Sequence, residues 1–520
     1  MTDYPDHMHW LFFLLLAVGL LVSPLLAADI ETIDGRLIEN ARILEEQADS
    51  LRFEYHLDGQ RMAISLPKRI VHRLRLTPED DWRVITAKKN STAAERTTPV
   101  IRRRPEQDDE DDQPAPTPTT SVSPDRPSGW RGDGSGLFAS PVPPPTDWRG
   151  GHNLRWKVAL PSWSSGSPIV VGDRVFCTAE PDRLLCFDRA DGSLRWQSDN
   201  NPADLLGPEH PDPGPRDPKD LRGWTMATTV SDGTRVWNAF GQGLLVCHDL
   251  EGQRLWSVPL DTDSRWGSGL SASPLLHGDL LLQQSGSGLQ AFDKNTGEKR
   301  WRAAGSSHLL GTGALMDLAG RMHVVGTEGQ LVRLSDGATL CGRVIEKPWK
   351  GWGPSVVVAG DRAVFHLHGD PKNSTCVQAW RYQADGSHEL LWQFIPEAEP
   401  KYNTRMGNSP LIVDDLFYAV TDGGHLTVVD MADGSLVYDH QWSKHAYSSL
   451  ISAGPFIYAT GRDEMHVFQP GRSYQPIADF PHGFAPHEGG RSTIIPSPFV
   501  ADGALYFRDR THLWCIAANE

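Results

Sequence analysis

Cysteine is scarce in this 520-residue chain, and none of the six (Cys177, Cys186, Cys247, Cys341, Cys376 and Cys515) is adjacent to another or set in a C-x-x-C pair. Neither a disulfide scaffold nor thiolate metal ligation can therefore organise the fold. Positive charge is also short, with 50 Lys and Arg against 66 Asp and Glu and a formal net charge of −16. A general nucleic-acid binder needs a basic surface for phosphate contacts, so that class falls away. No nucleophile elbow, phosphate loop or H-E-x-x-H is present. What is abundant is glycine (49), proline (39) and tryptophan (18). That mixture disfavours long helices and suits short strands joined by turns. With 39% hydrophobic and 22% charged residues, the chain is core-forming and is no collagen, coiled coil or wholly disordered polymer.

The one long apolar run, WLFFLLLAVGLLVSPLLAA from Trp10 to Ala28, reads as an export signal cleaved near Ala27 or Ala28. Asp3, Asp6, His7 and His9 precede it in place of Lys or Arg, and its 19 residues also suit an uncleaved membrane anchor. No Cys ends the run, so a bacterial lipoprotein anchor is not supported. In residues 29–85, Asp34-Gly35 and Asp58-Gly59 place hairpin turns between alternating apolar and polar runs. Ile30, Leu37, Ile43, Phe53, Tyr55, Met62, Ile64 and Leu66 can share one small core. A small SH3-like β module of five strands or fewer is expected, with a peptide-binding or a purely structural role. Residues 86–127 change character: Arg102, Arg103 and Arg104 precede Glu106, Asp108, Asp109, Glu110, Asp111 and Asp112, then PAPTPTTSVSP. With little apolar surface to bury, this stretch reads as a solvated linker.

From residue 128 onward the chain repeats. DRLLCFDRADGSLRW, ending at Trp196, recurs as GLLVCHDLEGQRLW, ending at Trp256, and as GLQAFDKNTGEKRW, ending at Trp301. Later copies include one ending at Trp392. An apolar strand pair joined by a Gly/Asp turn precedes each copy, and eight such pairs start near residues 167, 228, 273, 313, 355, 409, 450 and 497. A period of about 40 residues with four short strands per unit is the arithmetic of a β-propeller blade. The eighth copy stops one strand short, while Asn153 to Val158 reads like the missing fourth strand. The expectation is an all-β, eight-bladed propeller over residues 128–520, closed by its own N-terminal strand.

Ala291, Asp293, Gly297 and Trp301 spell A-x-D-x-x-x-G-x-x-x-W in full. Cys186, Asp188, Gly192 and Trp196, and Cys247, Asp249, Gly252 and Trp256, are near matches. This pattern resembles the tryptophan-docking repeat of PQQ-type propellers, which include quinoprotein dehydrogenases and the propeller lipoprotein of outer-membrane β-barrel assembly. The opening segment Trp130-Arg131-Gly132-Asp133-Gly134-Ser135-Gly136 is similar to that of exported propellers of this group. In such repeats Asp and Gly shape the tight turn and the tryptophan packs between blades, which implies a structural role for Trp196, Trp256, Trp301 and Trp392. A dehydrogenase of the family is expected to carry adjacent cysteines, acidic and amide ligands for Ca²⁺ and a catalytic Asp. This sequence has no adjacent cysteines.

No catalytic residue, metal site or cofactor is therefore expected, PQQ with Ca²⁺ being implied only by the oxidoreductase alternative. Cys186, Cys247 and Cys515 share the slot of Ala291 and read as small core residues. Cys177 and Cys186 can face each other across a hairpin, which would allow a disulfide. His366 with His368, and His482 with His487, lack an identifiable third ligand. The candidate binding surface is a ring of residues just ahead of each blade's first strand: Trp163, Trp224, Trp266, His308, Trp352, Arg405, Tyr447 and Arg491. These would surround one channel mouth and grip a peptide, glycan or anion, or wedge between blades. The Pro-rich insert 200–222 would overhang that mouth as lid, partner loop or spacer. The resulting expectation is a monomeric, non-catalytic propeller, exported to the periplasm or cell envelope, that binds a protein or peptide partner. A PQQ-dependent oxidoreductase and a glycan-binding propeller are the alternatives.

Overall fold

The computed structural model describes residues 27–32, 37–46, 50–57, 60–67, 71–75, 83–84, 127–210, 214, 223–261, 271–285, 288–304, 311–349, 353–369, 375–396, 408–421, 423–442, 448–461, 463–484 and 496–518. Two compact units divide the chain, Met1–Pro114 and Ala115–Glu520. In the first, six strands form one antiparallel sheet: Ala27–Thr32, Leu37–Glu46, Ser50–Leu57, Gln60–Pro67, Val71–Arg75 and Arg83–Val84, in spatial order 4-3-2-1-5-6. That is one strand more than expected. Among the described residues no helix is long and apolar enough to cross a membrane, and residues 10–26 of the export run lie outside them.

The second unit is a ring of eight four-stranded antiparallel sheets. Blades 1 to 7 span residues 169–199, 230–259, 275–303, 314–341, 357–394, 411–441 and 451–481, and blade 8 comprises residues 499–516 with 154–159. Within a blade the first strand lies innermost and the fourth outermost. The middle strands are covered on both faces by neighbouring blades, so Arg174–Ala179 and Arg183–Asp188 of blade 1 are almost wholly buried. That is why they read as continuous apolar runs. Leu194–Asp199, at the rim, alternates in exposure. Leu154–Ala159 pairs antiparallel with His512–Ile516 and supplies the outer strand of blade 8, Trp156 standing opposite Cys515. The closure legible in the sequence is the closure observed.

Tryptophans lock blade to blade. The indole N–H groups of Trp156, Trp196, Trp256 and Trp392 donate to the carbonyls of Arg189, Leu250, Lys294 and Met431 on the following blade, at 2.9, 2.9, 3.2 and 3.1 Å. Each ring lies on the glycine of that blade's third turn. A Cβ on Gly192, Gly252, Gly297, Gly337 or Gly434 would approach Trp156, Trp196, Trp256, Trp301 or Trp392 to 2.8 Å or less, so only glycine fits beneath the indole. Asp188, Asp249 and Asp293 hold the turns by accepting from backbone N–H groups two residues on, at 2.8, 3.1 and 2.9 Å. Cys186, Cys247 and Ala291 pair across strands with Trp196, Trp256 and Trp301, so a small residue there makes room for the indole.

The disulfide expectation is corrected. Cys186 pairs with Phe176, and Cys177 with Leu185, so a one-residue offset sends the two side chains to opposite faces of the sheet. All six cysteines are free. The described start of the insert after blade 1 holds regular structure. Asn201 caps a short helix, Pro202–Leu206, by accepting from the Ala203 N–H at 2.9 Å. Leu205 and Leu206 pack on Phe240, Leu244 and Val246 of blade 2.

Candidate functional site

The channel has two mouths, one at the connections that lead from each blade's fourth strand to the next blade's first, the other at the turns between first and second strands. At the connection mouth, the backbone carbonyls of Trp163 and Trp224 accept from the Glu180 and Gly241 N–H groups at 2.9 and 2.6 Å. Each thus anchors the turn between second and third strands of the blade it precedes. Trp163 is only 7% exposed, its ring covered by the Arg510 guanidinium at 4.9 Å. It therefore offers no open stacking face to a sugar. Trp224 is half-buried and donates its indole N–H to Gly214 within the insert, at 2.9 Å. Trp266, His308, Trp352, Arg405, Tyr447 and Arg491 lie outside the described residues.

Buried polar groups near this mouth are turned to the protein itself. Glu180 accepts from the Thr225 N–H and hydroxyl at 2.8 and 2.6 Å. The Arg508 guanidinium, fully buried and lowered in pKa by that burial, donates to the carbonyls of Thr178 and Ser162. Just inside runs a belt of hydroxyls, one per blade. The Ser167 N–H donates to the Thr228 hydroxyl, and the pattern continues through Ser273, Thr312, Ser355, Ser409, Ser449 and Ser497, at 2.9–3.2 Å. Across the blade 8–blade 1 seam, Arg189 pairs with Asp502 at 2.8 Å and donates to the Tyr506 hydroxyl at 2.8 Å.

At the turn mouth the chain fills part of its own channel. Ser128 exchanges two backbone hydrogen bonds with Ser231 of blade 2, both 2.8 Å. Leu137–Phe138 adds in parallel to the first strand of blade 7, opposite Ser452 and Ala453. Between them Arg131, 1% exposed, donates to the carbonyls of Pro410 (blade 6) and Leu450 (blade 7) at 2.8 and 2.7 Å. Burial pushes its guanidinium down to about 9, still charged at neutral pH. Gly136 packs on that guanidinium so closely that a Cβ would come within 2.3 Å of Nη2. Beside this plug remains a cavity of about 970 Å³, walled by Trp130 and Leu137 and by first-strand residues of blades 1, 2, 3, 4, 5 and 8.

Of the histidines singled out in the sequence, His366, His368 and His482 are packed within the protein. Burial pushes the His366 and His368 imidazoles down to about 4 and about 3. His482 stacks on Phe484 with ring centroids 4.2 Å apart and accepts from its N–H at 3.1 Å, while His487 lies outside the described residues. Among the described residues no cluster of His, Cys, Asp and Glu is placed to hold a metal. A carboxylate-bearing quinone with Ca²⁺ needs free cationic groups and free acidic or amide oxygens. Around this channel Arg131, Arg508 and Glu180 hydrogen-bond to backbone and hydroxyl partners.

Neither the belt nor the plug was anticipated from the sequence. Signals existed: Ser-Pro opens the first strand at Ser167, Ser273, Ser409 and Ser497, and Arg131 stands alone in a glycine-rich segment.

Eight sheets with indoles docked from blade to blade, threaded by their own N-terminal segment, define a PQQ-like repeat propeller. The family profile described as outer membrane protein assembly factor BamB matches residues 151–213 and 241–469, and the chain belongs to that family. BamB from Moraxella catarrhalis is a structural neighbour at 14% identity and TM-score 0.50, covering 70% of this chain and 97% of that one. Quinohemoprotein alcohol dehydrogenase from Comamonas testosteroni matches at 11% identity and TM-score 0.50, covering 76% and 81%. At such identities these likenesses show the fold alone. No curated protein matches the sequence.

Proposed function

We propose that this protein is an exported, non-catalytic propeller that holds a protein partner at the cell envelope. The observation that carries this reading is the match to the BamB family across residues 151–213 and 241–469, a family described by its part in outer-membrane protein assembly. The hydrogen bonds of Arg131, Arg508 and Glu180 to groups within the propeller agree with a scaffold. The apolar run at residues 10–28 supplies the route of export, and the composition of residues 86–127 suits a solvated linker.

The test is photo-crosslinking in the living source cells, from full-length protein carrying a photoreactive residue at exposed rim positions Leu194, Leu255, Leu390 or Leu436. One envelope protein captured from adjacent blades, which then binds the purified propeller saturably, is the expected result. If no position captures a partner, and the purified protein instead binds PQQ with Ca²⁺ one to one by tryptophan quenching, the scaffold reading gives way to the oxidoreductase.

A further inference from the structure

The cavity beside the plug is bordered on one side by sheet edges. At blades 3, 4 and 5 the first strands, Leu275–His277, Ala314–Leu318 and Val357–Ala359, are terminal in their sheets. Among the described residues no strand is paired to their inner edges, although the first strands of neighbouring blades lie close by. Leu275, Leu276, Leu315, Val357 and Val358 give this wall an apolar surface, and a terminal strand also presents unpaired backbone N–H and C=O groups. A pure hydrocarbon would cover the side chains and leave those groups without partners, at a cost in free energy.

The same inner wall already shows what satisfies both demands. On blade 7 it holds Leu137–Phe138 as an added parallel strand, with Ser452 donating to the Gly136 carbonyl at 2.8 Å, and on blade 2 it holds Ser128 by paired backbone bonds. The chain pairs in this way with the inner edges of blades 2 and 7 and with none of those of blades 3–5, which line the remaining cavity together with residues of blades 1, 2 and 8. Its cavity of about 970 Å³ lies at the upper end of ordinary ligand pockets.

We propose that this cavity binds an extended, uncharged, apolar peptide segment of a partner. The segment enters through the turn mouth and adds as a strand to the inner edge of blades 3–5. This names the partner chemistry of the scaffold reading and rests on it. Main-chain hydrogen bonds would give affinity and alternate side chains selectivity, as in other strand additions.

The test uses the full-length protein and a fluorescein-labelled probe of alternating valine and threonine, about six residues long, the length of an ordinary strand. Saturable anisotropy binding is expected, weakened roughly tenfold or more by Leu315→Lys, a half-buried wall position, as is slowed amide exchange confined to the first strands of blades 3–5. The exchange readout serves even if the variant is poorly folded. No saturation, protection elsewhere, or edges already protected before the probe is added would each overturn the proposal. Persistence of the rim crosslinks in that case would show that the scaffold reading stands while the channel site falls.

Discussion

A glycine beneath an indole and a glycine facing solvent obey the same backbone preference but not the same sterics. Gly252 has φ +93°, and a Cβ there would lie 2.7 Å from the Trp196 ring, whereas Gly278, at φ +55°, has nothing within 4 Å. Gly278→Ala should cost about 1 kcal/mol, the strain of the left-handed region alone. Gly252→Ala adds displacement of a docked tryptophan and should cost ~3 kcal/mol or more. Urea midpoints of the two variants measure the difference, and equal midpoints would refute the docking argument.

Burial also sets a pH dependence. The His248 imidazole is pushed down to about 4, first by burial and then by the Arg254 charge, and His366 likewise to about 4 by burial. Both are neutral in the fold from pH 7 down towards 4, while the unfolded chain takes up protons from about pH 6.5 downward. Stability is therefore fully present above pH 6.5 and falls as pH drops towards 4, each histidine adding up to ~1.4 kcal/mol per pH unit. Urea midpoints at pH 7 and pH 5 should show the loss, and His248→Gln should reduce it.

At the scale of elements, the outer strand of blade 8 is the most consequential piece. A protein beginning at residue 127 keeps Leu154–Ala159 and should give a monomeric, cooperatively unfolding ring. One beginning at residue 160 leaves blade 8 with three strands and the edge of His512–Ile516 bare, and should aggregate or lose its near-ultraviolet dichroism. Size-exclusion chromatography and circular dichroism decide it. The single-residue plug has a parallel test. Arg131→Met removes the donors to Pro410 and Leu450 and should cost ~2–4 kcal/mol in buried carbonyls left unpaired.

These elements also mark what could be read in advance. The repeats restate one constraint, a small residue opposite a tryptophan and a glycine beneath the previous one, so blade number and strand order were legible in the eight recurring strand pairs, and closure in Asn153 to Val158, which reads like the strand around Trp196. The plug occurs once, and Arg131 carries no periodic signature. The hydroxyl belt hides because Ser, Thr and Pro are ordinary before strands. The relation of Cys177 to Cys186 depends on a one-residue register that composition does not encode. Of the expected ring, Trp163 proves a buried anchor for a turn.

Across the whole molecule, two units follow one another along the chain, and the acidic stretch that begins near the end of the first carries Arg102, Arg103 and Arg104. If that stretch is the tether its composition implies, brief trypsin treatment cuts there first and leaves a fragment that contains residues 127–520 and retains the intact protein's unfolding midpoint. Initial cleavage within the blades would argue against a separable propeller.

The threading of residues 128–159 has a consequence for biosynthesis. These residues emerge early, yet their partners at Leu450, Ser452 and residues 512–516 are made last. At about 5–20 residues per second, the growing chain waits roughly 20–70 s between making Ala159 and making Ile516. Until Pro410 and Leu450 are made Arg131 has no carbonyls to grip, and until Ile516 is made Trp156 has no complete blade to join. The start of the domain must therefore be kept from wrong partners until its last blade arrives, so a premature stop twenty residues early would leave Leu154–Ala159 with no strand to join.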